Sequence, residues 1–169
     1  SALTTKPQNQ NPYAPFITST LQQEGIRKLR MNSRQVMSVA QSLYQNGHIT
    51  YMRTDSINLS TEAINAAKDV ILKKYGKEYL PASPRVYKSK SKNTQEAHEA
   101  IRPVGSTFIN PEKLKGSLSD VEYRLYDMIW KRTVASQMKS AKIEQTKLEI
   151  SDNNYVFNAH GKTIIFPGF

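Results

Sequence analysis

Between residues 33 and 76 the apolar side chains recur every three or four positions, a spacing typical of helices that bury one face. We expect one helix to be capped by Ser33 and to end at Gly47, and a second to be capped by Ser60 and to end at Gly76. The two apolar stripes are Val36, Met37, Ala40, Leu43 and Tyr44, and Ala63, Ile64, Ala67, Val70 and Ile71. This part of the chain therefore predicts two amphipathic helices with a short non-helical link.

Two further helices are expected, one on each side of this pair. Ser19 and Thr20 each stand three residues before a glutamine, which fits a capping box, so we expect a helix to start near Leu21. A second capping box, Ser119 with Glu122, predicts a long helix that runs to about residue 138. The centre of the chain is therefore predicted to be mainly helical.

From residue 142 onward the apolar positions alternate with polar ones, which is typical of β-strands. We expect strands at residues 146–150 and 163–166, with a turn at 152–154. Residues 1–15 are polar and carry three prolines, so they are expected to be extended or loop. The predicted fold class is α+β, with a mainly helical central domain flanked by β-strand segments.

Charge and composition narrow the range of partners. The 169 residues carry a formal net charge of +10, which favours polyanionic partners, with nucleic acid first among them. No cysteine is present, which excludes disulfides and thiolate zinc sites in this chain and fits a reducing cytoplasm. No 18-residue stretch is apolar throughout, so the sequence predicts no membrane span.

The candidate chemistry is concentrated in residues 49–56, directly after the expected helix end at Gly47. Tyr51 can act as a covalent nucleophile, and Arg53 can hold a phosphate through its planar fork of donors. Because they are two residues apart, an extended backbone would point both to the same side. A simpler interpretation is a strand entering a turn, with Tyr51 half buried and Asp55 capping the turn. The local residues leave both interpretations open.

Four segments, in the same order, resemble the motifs of type IA DNA topoisomerases, and the resemblance is closest to the bacterial topoisomerase I group. They are residues 14–24 (APFITSTLQQE), 50–56 (TYMRTDS), 95–103 (QEAHEAIRP), and Leu125-Tyr126 with Ile129-Trp130. The similarity covers nearly the whole chain. Because Ser1 is not an initiator methionine, we interpret the chain as a fragment that carries the active-site tyrosine domain.

The resemblance implies a domain division and a function. Residues 33–142 would form a helix-turn-helix-like catalytic-tyrosine domain, and residues 1–32 and 143–169 would be parts of a discontinuous β-rich hinge domain. The full-length enzyme would relax negatively supercoiled DNA through a transient 5′-phosphotyrosyl link and strand passage, without ATP. Its partners would be DNA, especially single-stranded DNA, and the remaining domains of the same polypeptide. Its location would be the bacterial cytoplasm, associated with the nucleoid.

Two alternatives remain open from the sequence. A topoisomerase III or reverse gyrase fragment would share these motifs, although Met52 favours topoisomerase I because the topoisomerase III motif usually has proline there. A noncatalytic helix-turn-helix DNA-binding module would also explain the helices and the positive charge. That module leaves the residues around Tyr51 without an explanation.

The expected site residues fall into three groups. The resemblance implies catalytic roles for Tyr51, Arg53 and His98, with His98 donating a hydrogen bond near the scissile phosphate. Supporting roles are expected for Thr50, Thr54 and Asp55. DNA contacts are expected from a final group, which consists of Arg53, Lys88, Lys90, Lys92 and Arg102.

Several of these residues also have a structural interpretation. Arg102 can bind phosphate or pair with Glu99, and Asp55 can orient Arg53 or cap a turn. His98 can be an ordinary surface histidine on a short helical turn that Pro103 ends. The lysines of residues 88–92 can be merely solvated.

The chain has no Asp-x-Asp-x-Glu cluster and no glycine-rich phosphate loop. The resemblance implies that Mg²⁺ acts in the full-length enzyme at a site outside this fragment, so we expect no cofactor here and no activity from the fragment alone. The flanking strands would lack partners from the rest of the hinge domain. We therefore also expect either disorder at the ends or a dimer formed through these truncated strands.

Overall fold

The computed structural model describes residues 2–88, 98–152 and 155–169. Its elements, in chain order, are β1 (Ala2–Gln10), α1 (Thr18–Leu29), α2 (Ser33–Gln45), α3 (Thr61–Lys74), a 3₁₀ turn (Lys77–Tyr79), α4 (Pro111–Leu114), α5 (Asp120–Ser136), β2 (Ala141–Asp152) and β3 (Tyr155–Phe166). A helical body and a three-stranded antiparallel sheet make up the described chain. The predicted α+β class is confirmed.

Helices α2, α3 and α5 lie where the apolar periodicity predicts them. The side chains of Ser60 and Ser119 accept hydrogen bonds from backbone N–H groups of the first turns of α3 and α5, as expected of N-caps. The cap of α2 is Asn32 rather than Ser33, because the Asn32 side chain accepts the N–H of Gln35 at 2.8 Å. Gly47 follows α2 with φ of 75°, a conformation that favours glycine.

Helix α1 begins earlier than the capping-box pattern predicts. It starts at Thr18 instead of near Leu21, and Ile17 occupies the N-cap position. The Ile17 N–H donates to the hydroxyl of Thr20 at 3.0 Å, so a side chain in the first turn provides the acceptor for the N–H at the N-cap. The pattern therefore located the helix but assigned Thr20 to the wrong position.

The hydrophobic core lies where the four longer helices meet. Leu21 of α1, Leu43 of α2, Ile71 of α3 and Ile129 of α5 are all fully buried. Burial of each such side chain is worth about 1.5–3 kcal/mol relative to exposure. Gly25 allows α1 to approach α2 closely, since a Cβ at this position would lie 2.6 Å from a methyl of Val36. This body supports the short segments between the helices.

The sheet has the order β1-β2-β3, with both pairs antiparallel. The two strands expected near the C-terminus are confirmed and are longer than predicted. The structure also makes a strand of residues 2–10, because their backbone pairs with β2 from Ala2↔Glu149 to Gln10↔Ala141. Leu3, Ile150 and Phe157 are exposed on this sheet. The expected turn at residues 153–154 lies outside the described residues.

The outer edges of β1 and β3 have no neighbouring strand within the described chain. Formation of a dimer through these edges stays a prediction, as does the division into a 33–142 domain and two flanking parts. None of the helices in the described ranges combines the length and the apolar character needed to cross a membrane.

Candidate active site

Along residues 50–56 the side chains alternate between the protein body and solvent, and the backbone bends at Thr50 and Met52. Met52 and Ser56 are buried and Thr50 and Thr54 are half-buried, whereas the residues between them are exposed. The exposed side chains are Tyr51, Arg53 and Asp55. The sequence expectation that Tyr51 and Arg53 face the same side is consistent with this alternation.

Thr50 fixes the beginning of this segment against residues 100–102. The Thr50 N–H donates to the Arg102 carbonyl at 2.9 Å, and the Thr50 hydroxyl donates to the Ala100 carbonyl at 2.8 Å. In return, the Arg102 N–H donates to the Thr50 hydroxyl at 3.0 Å. An antiparallel bridge between Ile49 and Pro103 continues the pairing. The Tyr51 segment is therefore joined to the segment that follows His98.

Thr54 fixes the other end of the same segment. Its hydroxyl donates to the Glu99 carbonyl at 3.0 Å and accepts the N–H of Ser56 at 3.1 Å. Its backbone contacts Thr18 of α1. The supporting position predicted for Thr50 and Thr54 thus has a structural basis: both hold the backbone while Tyr51 and Arg53 remain outside.

The Tyr51 ring is 46% exposed and packs edge-on against Tyr44, with ring centroids 5.1 Å apart. Among the described residues, the Tyr51 hydroxyl makes no hydrogen bond. A phenol that is accessible at one end and held by a neighbouring ring is suited to meet a substrate. Tyr44 was not predicted from the sequence, where it counts only as part of an apolar stripe.

Arg53 and Asp55, the next two exposed residues after Tyr51, are also accessible to solvent. In the part of the chain that the structure describes, neither side chain makes a hydrogen bond or an ion pair. An exposed guanidinium that has no protein partner there can accept a phosphate as a bidentate ligand. The two alternatives for Asp55, orienting Arg53 or capping a turn, stay predictions.

His98 is exposed and lies directly before Glu99, whose carbonyl binds Thr54. The helical turn expected around it is absent from residues 98–103, because Ile101 bridges Phe16 and Pro103 bridges Ile49. These pairings require extended backbone. The extended path brings the His98 segment alongside the Tyr51 segment.

Arg102 is buried and points toward protein acceptors. Its guanidinium contacts both carboxylate oxygens of Glu99 at 3.0–3.3 Å, Glu62 at 3.3 Å, and the carbonyls of Pro103 and Gly105 at 3.0 and 3.2 Å. Of its two sequence-level roles, pairing with Glu99 is therefore observed. A direct phosphate contact by Arg102 stays a prediction, and it would require these contacts to open.

Glu99 links this pair to the start of α3. One carboxylate oxygen accepts the N–H of Ser60 at 2.7 Å. Burial opposes ionisation of Glu99, but the hydrogen bonds from Arg102 and Ser60 outweigh it, so the pKa of Glu99 lies below its ordinary value. Residues 99–102, which contain this ion pair, are therefore bonded both to α3, through Ser60, and to the Tyr51 segment, through Thr54.

Glu99→Gln is expected to destabilise the chain by about 2 kcal/mol at neutral pH, since a buried guanidinium loses its charged partner. Because the folded-state pKa is lowered, the wild-type advantage is full above the unfolded pKa of about 4.3 and is lost as pH falls through the folded pKa. Urea unfolding at pH 7 and pH 3 measures the difference. Glu62→Gln is the matched control, with a smaller loss, because Glu62 is more exposed. A loss equal at both pH values would contradict this account.

The lysines expected to contact DNA are only partly placed. Lys88 is exposed, whereas Lys90 and Lys92 lie outside the described residues. Within the described ranges, no group of three or more histidine or acidic side chains is arranged to hold a metal ion. Where Mg²⁺ would bind in the full-length protein stays a prediction.

Comparison with known proteins gives a consistent result. A family model described as DNA topoisomerase matches residues 1–169. The DNA topoisomerase 1 of Mycolicibacterium smegmatis is 56% identical over 97% of this chain, and that of Synechococcus elongatus is 54% identical over 99%. The chain spans 18% and 19% of the lengths of these two relatives.

A solved structure is similar over the same extent. Full-length topoisomerase I from Thermotoga maritima matches 98% of this chain with a TM-score of 0.82 and 35% sequence identity. The chain corresponds to 27% of that protein. The similarity therefore extends from sequence to fold, over a limited part of each relative.

Proposed function

The chain belongs to the DNA topoisomerase family, in its bacterial type IA branch, and from this membership we propose that it supplies the nucleophile of a DNA-relaxing isomerase. The full-length protein would cut one strand of negatively supercoiled DNA, pass the other strand and reseal the break without ATP. It would work on DNA in the cytoplasm, at the nucleoid. The relatives are matched over less than a fifth of their length, so the reaction as a whole also requires the remaining sequence.

One observation supports this proposal above the others. The segment around Tyr51 exposes a phenol and a guanidinium two residues apart, while threonine hydroxyls and the buried Met52 hold its backbone. The arrangement is suited to a phosphodiester that approaches from solvent, with the attacking oxygen and the positive charge on one side of it.

The proposed cleavage step is a transesterification. The Tyr51 oxygen attacks phosphorus and forms a tyrosyl ester with the 5′ phosphate, while the bond from phosphorus to the 3′ oxygen breaks. The phenol loses its proton and the leaving 3′ oxygen gains one. Attack by the 3′ hydroxyl on the same phosphorus reverses the step, so the energy of the broken bond is kept in the covalent link.

Arg53 would balance the charge that develops on the phosphoryl oxygens, and His98 would donate a hydrogen bond to one of them. Within the described residues, no acceptor is placed to take the proton of Tyr51. We therefore propose that the proton acceptor comes from another part of the full-length protein. Magnesium would act there too, as the resemblance to the family implies.

The direct test is relaxation of a negatively supercoiled plasmid by the full-length protein. ATP is omitted, and a parallel reaction is stopped with a denaturant to trap protein-linked DNA. The proposal requires both relaxation and a trapped covalent complex. DNA binding without either one would favour a noncatalytic DNA-binding module.

The chain by itself is expected to bind single-stranded DNA and to leave plasmid DNA unrelaxed. Phosphate contacts release counterions, so three or four of them give a log–log slope of affinity against salt of about −2 to −3. Fluorescence anisotropy between about 50 and about 300 mM salt measures this slope. Binding that does not change with salt would contradict phosphate contact. Relaxation by the chain alone would contradict the requirement for residues outside it.

A further inference from the structure

Thr18, the first residue of α1, holds the backbone on both sides of Arg53. The Thr18 hydroxyl donates to the Met52 carbonyl at 2.7 Å and accepts the Thr54 N–H at 2.9 Å. The Thr18 N–H donates to the Thr54 carbonyl at 3.0 Å. In the described ranges, every hydrogen bond to the backbone of Met52 and Thr54 comes from this one residue, which lies more than thirty positions earlier in the chain.

The Thr18 hydroxyl does not serve its own helix. Threonine hydroxyls near helix starts commonly cap free N–H groups of the first turn. In α1 the first-turn hydroxyl that bonds the helix end is that of Thr20, which accepts the Ile17 N–H. The Thr18 hydroxyl is therefore free to contact the Tyr51 segment. Because its bonds there are made to backbone atoms, they fix the path of the backbone and not the rotamer of one side chain.

This path decides where the two reactive side chains point. Thr50 holds the backbone before Tyr51, and Thr18 holds it at Met52 and Thr54. The side chain of Met52 is 1% exposed, so its packing in the core also anchors the segment. Without the Thr18 hydroxyl, the Met52 carbonyl and the Thr54 N–H would lose their partner in α1, and the Thr54 carbonyl would keep only the Thr18 N–H. The guanidinium could then move relative to the phenol.

We propose that Thr18 is a positioning residue for DNA cleavage, which aligns Arg53 and Tyr51 on one phosphate. The inference rests on the proposed function. Phosphoryl transfer depends mainly on positioning and charge stabilisation, and a displacement of about 1 Å can lower a rate about 100-fold. Loss of the Thr18 hydroxyl therefore affects the rate of cleavage more than the affinity for DNA.

The test is single-turnover cleavage of a single-stranded oligonucleotide by the full-length protein. Thr18→Val is expected to slow cleavage about 10- to 100-fold with an unchanged dissociation constant for DNA, and Thr18→Ser to restore the rate. Thr20→Val is the matched control: within the described residues the Thr20 hydroxyl bonds only to the backbone of Ile17, so removing it from the same helix turn leaves the cleavage rate at the wild-type value. Thr18→Ala provides a second hydroxyl-free variant if Thr18→Val melts below the assay temperature.

Wild-type cleavage by Thr18→Val, or an equal loss in Thr20→Val, would overturn the positioning role. So would unfolding of both hydroxyl-free Thr18 variants with Thr20→Val still folded, because the contact would then be structural. These outcomes differ from failure of the proposed function. If the wild-type protein forms no covalent complex, the proposed function is wrong. If the wild-type protein cleaves DNA and Thr18→Val cleaves it equally fast, only the positioning role of Thr18 is wrong.

Discussion

Replacement of Tyr51 by phenylalanine in the full-length protein is expected to abolish DNA cleavage and relaxation. The change removes the attacking oxygen and nothing else, and the ring can still pack edge-on against Tyr44. No neighbouring hydroxyl on the described segment offers the same geometry, since Thr50 and Thr54 direct theirs at backbone carbonyls. Plasmid relaxation and denaturant-trapped covalent complexes measure the loss, which we expect to reach the detection limit.

Two controls separate loss of chemistry from loss of binding. The dissociation constant for single-stranded DNA should stay close to the wild-type value in Tyr51→Phe, because the ring and the surrounding cations are unchanged. Tyr44→Phe keeps the stacked ring and should still form the covalent complex. Relaxation by Tyr51→Phe would show that another residue is the nucleophile, and the interpretation of the segment as an active site would then be wrong.

Replacement of Arg53 by lysine should also produce a large effect, a loss of cleavage or resealing of about 100-fold. A lysine keeps the positive charge but replaces a planar fork of donors by a single ammonium group, which cannot hold two phosphoryl oxygens in a fixed geometry. Rates of cleavage and of resealing on an oligonucleotide separate the two steps. Arg34→Lys is the matched control, since Arg34 is exposed on α2 and remote from the site in sequence.

His98 gives a graded comparison within the same experiment. A single hydrogen-bond or acid–base group typically contributes about 10²–10⁴-fold to a rate, so His98→Ala should be slower than wild type and faster than Tyr51→Phe. Wild-type kinetics in both Arg53→Lys and His98→Ala would return these side chains to ordinary surface residues. If only one of the two variants loses activity, that residue alone stabilises the charge on the phosphoryl oxygens.

Much of the fold is predictable from local patterns. The apolar stripes on α2 and α3, and the Ser119 capping box of α5, depend on residues that are close in sequence, and the helices follow them. The alternation around Tyr51 is also local, because the period of two that places Tyr51 and Arg53 on one face belongs to any extended backbone. These features need no knowledge of distant partners.

The remaining features depend on contacts between distant segments. The pairing of residues 2–10 with β2 needs a strand that lies far later in the chain, so local sequence alone predicts a loop from the polar residues and prolines. The extended path at Ile101 depends on Phe16, and it replaces the helical turn that local sequence favours. The contacts of Thr18 with Met52 and Thr54 likewise depend on a distant segment, and the motif at residues 14–24 does not reveal them.

The most direct measurement is to map the covalent complex between the full-length protein and DNA. An oligonucleotide labelled at its 3′ end is cleaved, the complex is trapped with denaturant and digested, and the labelled peptide is sequenced by mass spectrometry. The account predicts that the label stays with the protein and that the nucleotide is attached to the oxygen of Tyr51 through a 5′ phosphate. Attachment at another residue, retention of a label placed at the 5′ end, or the absence of any adduct would contradict it.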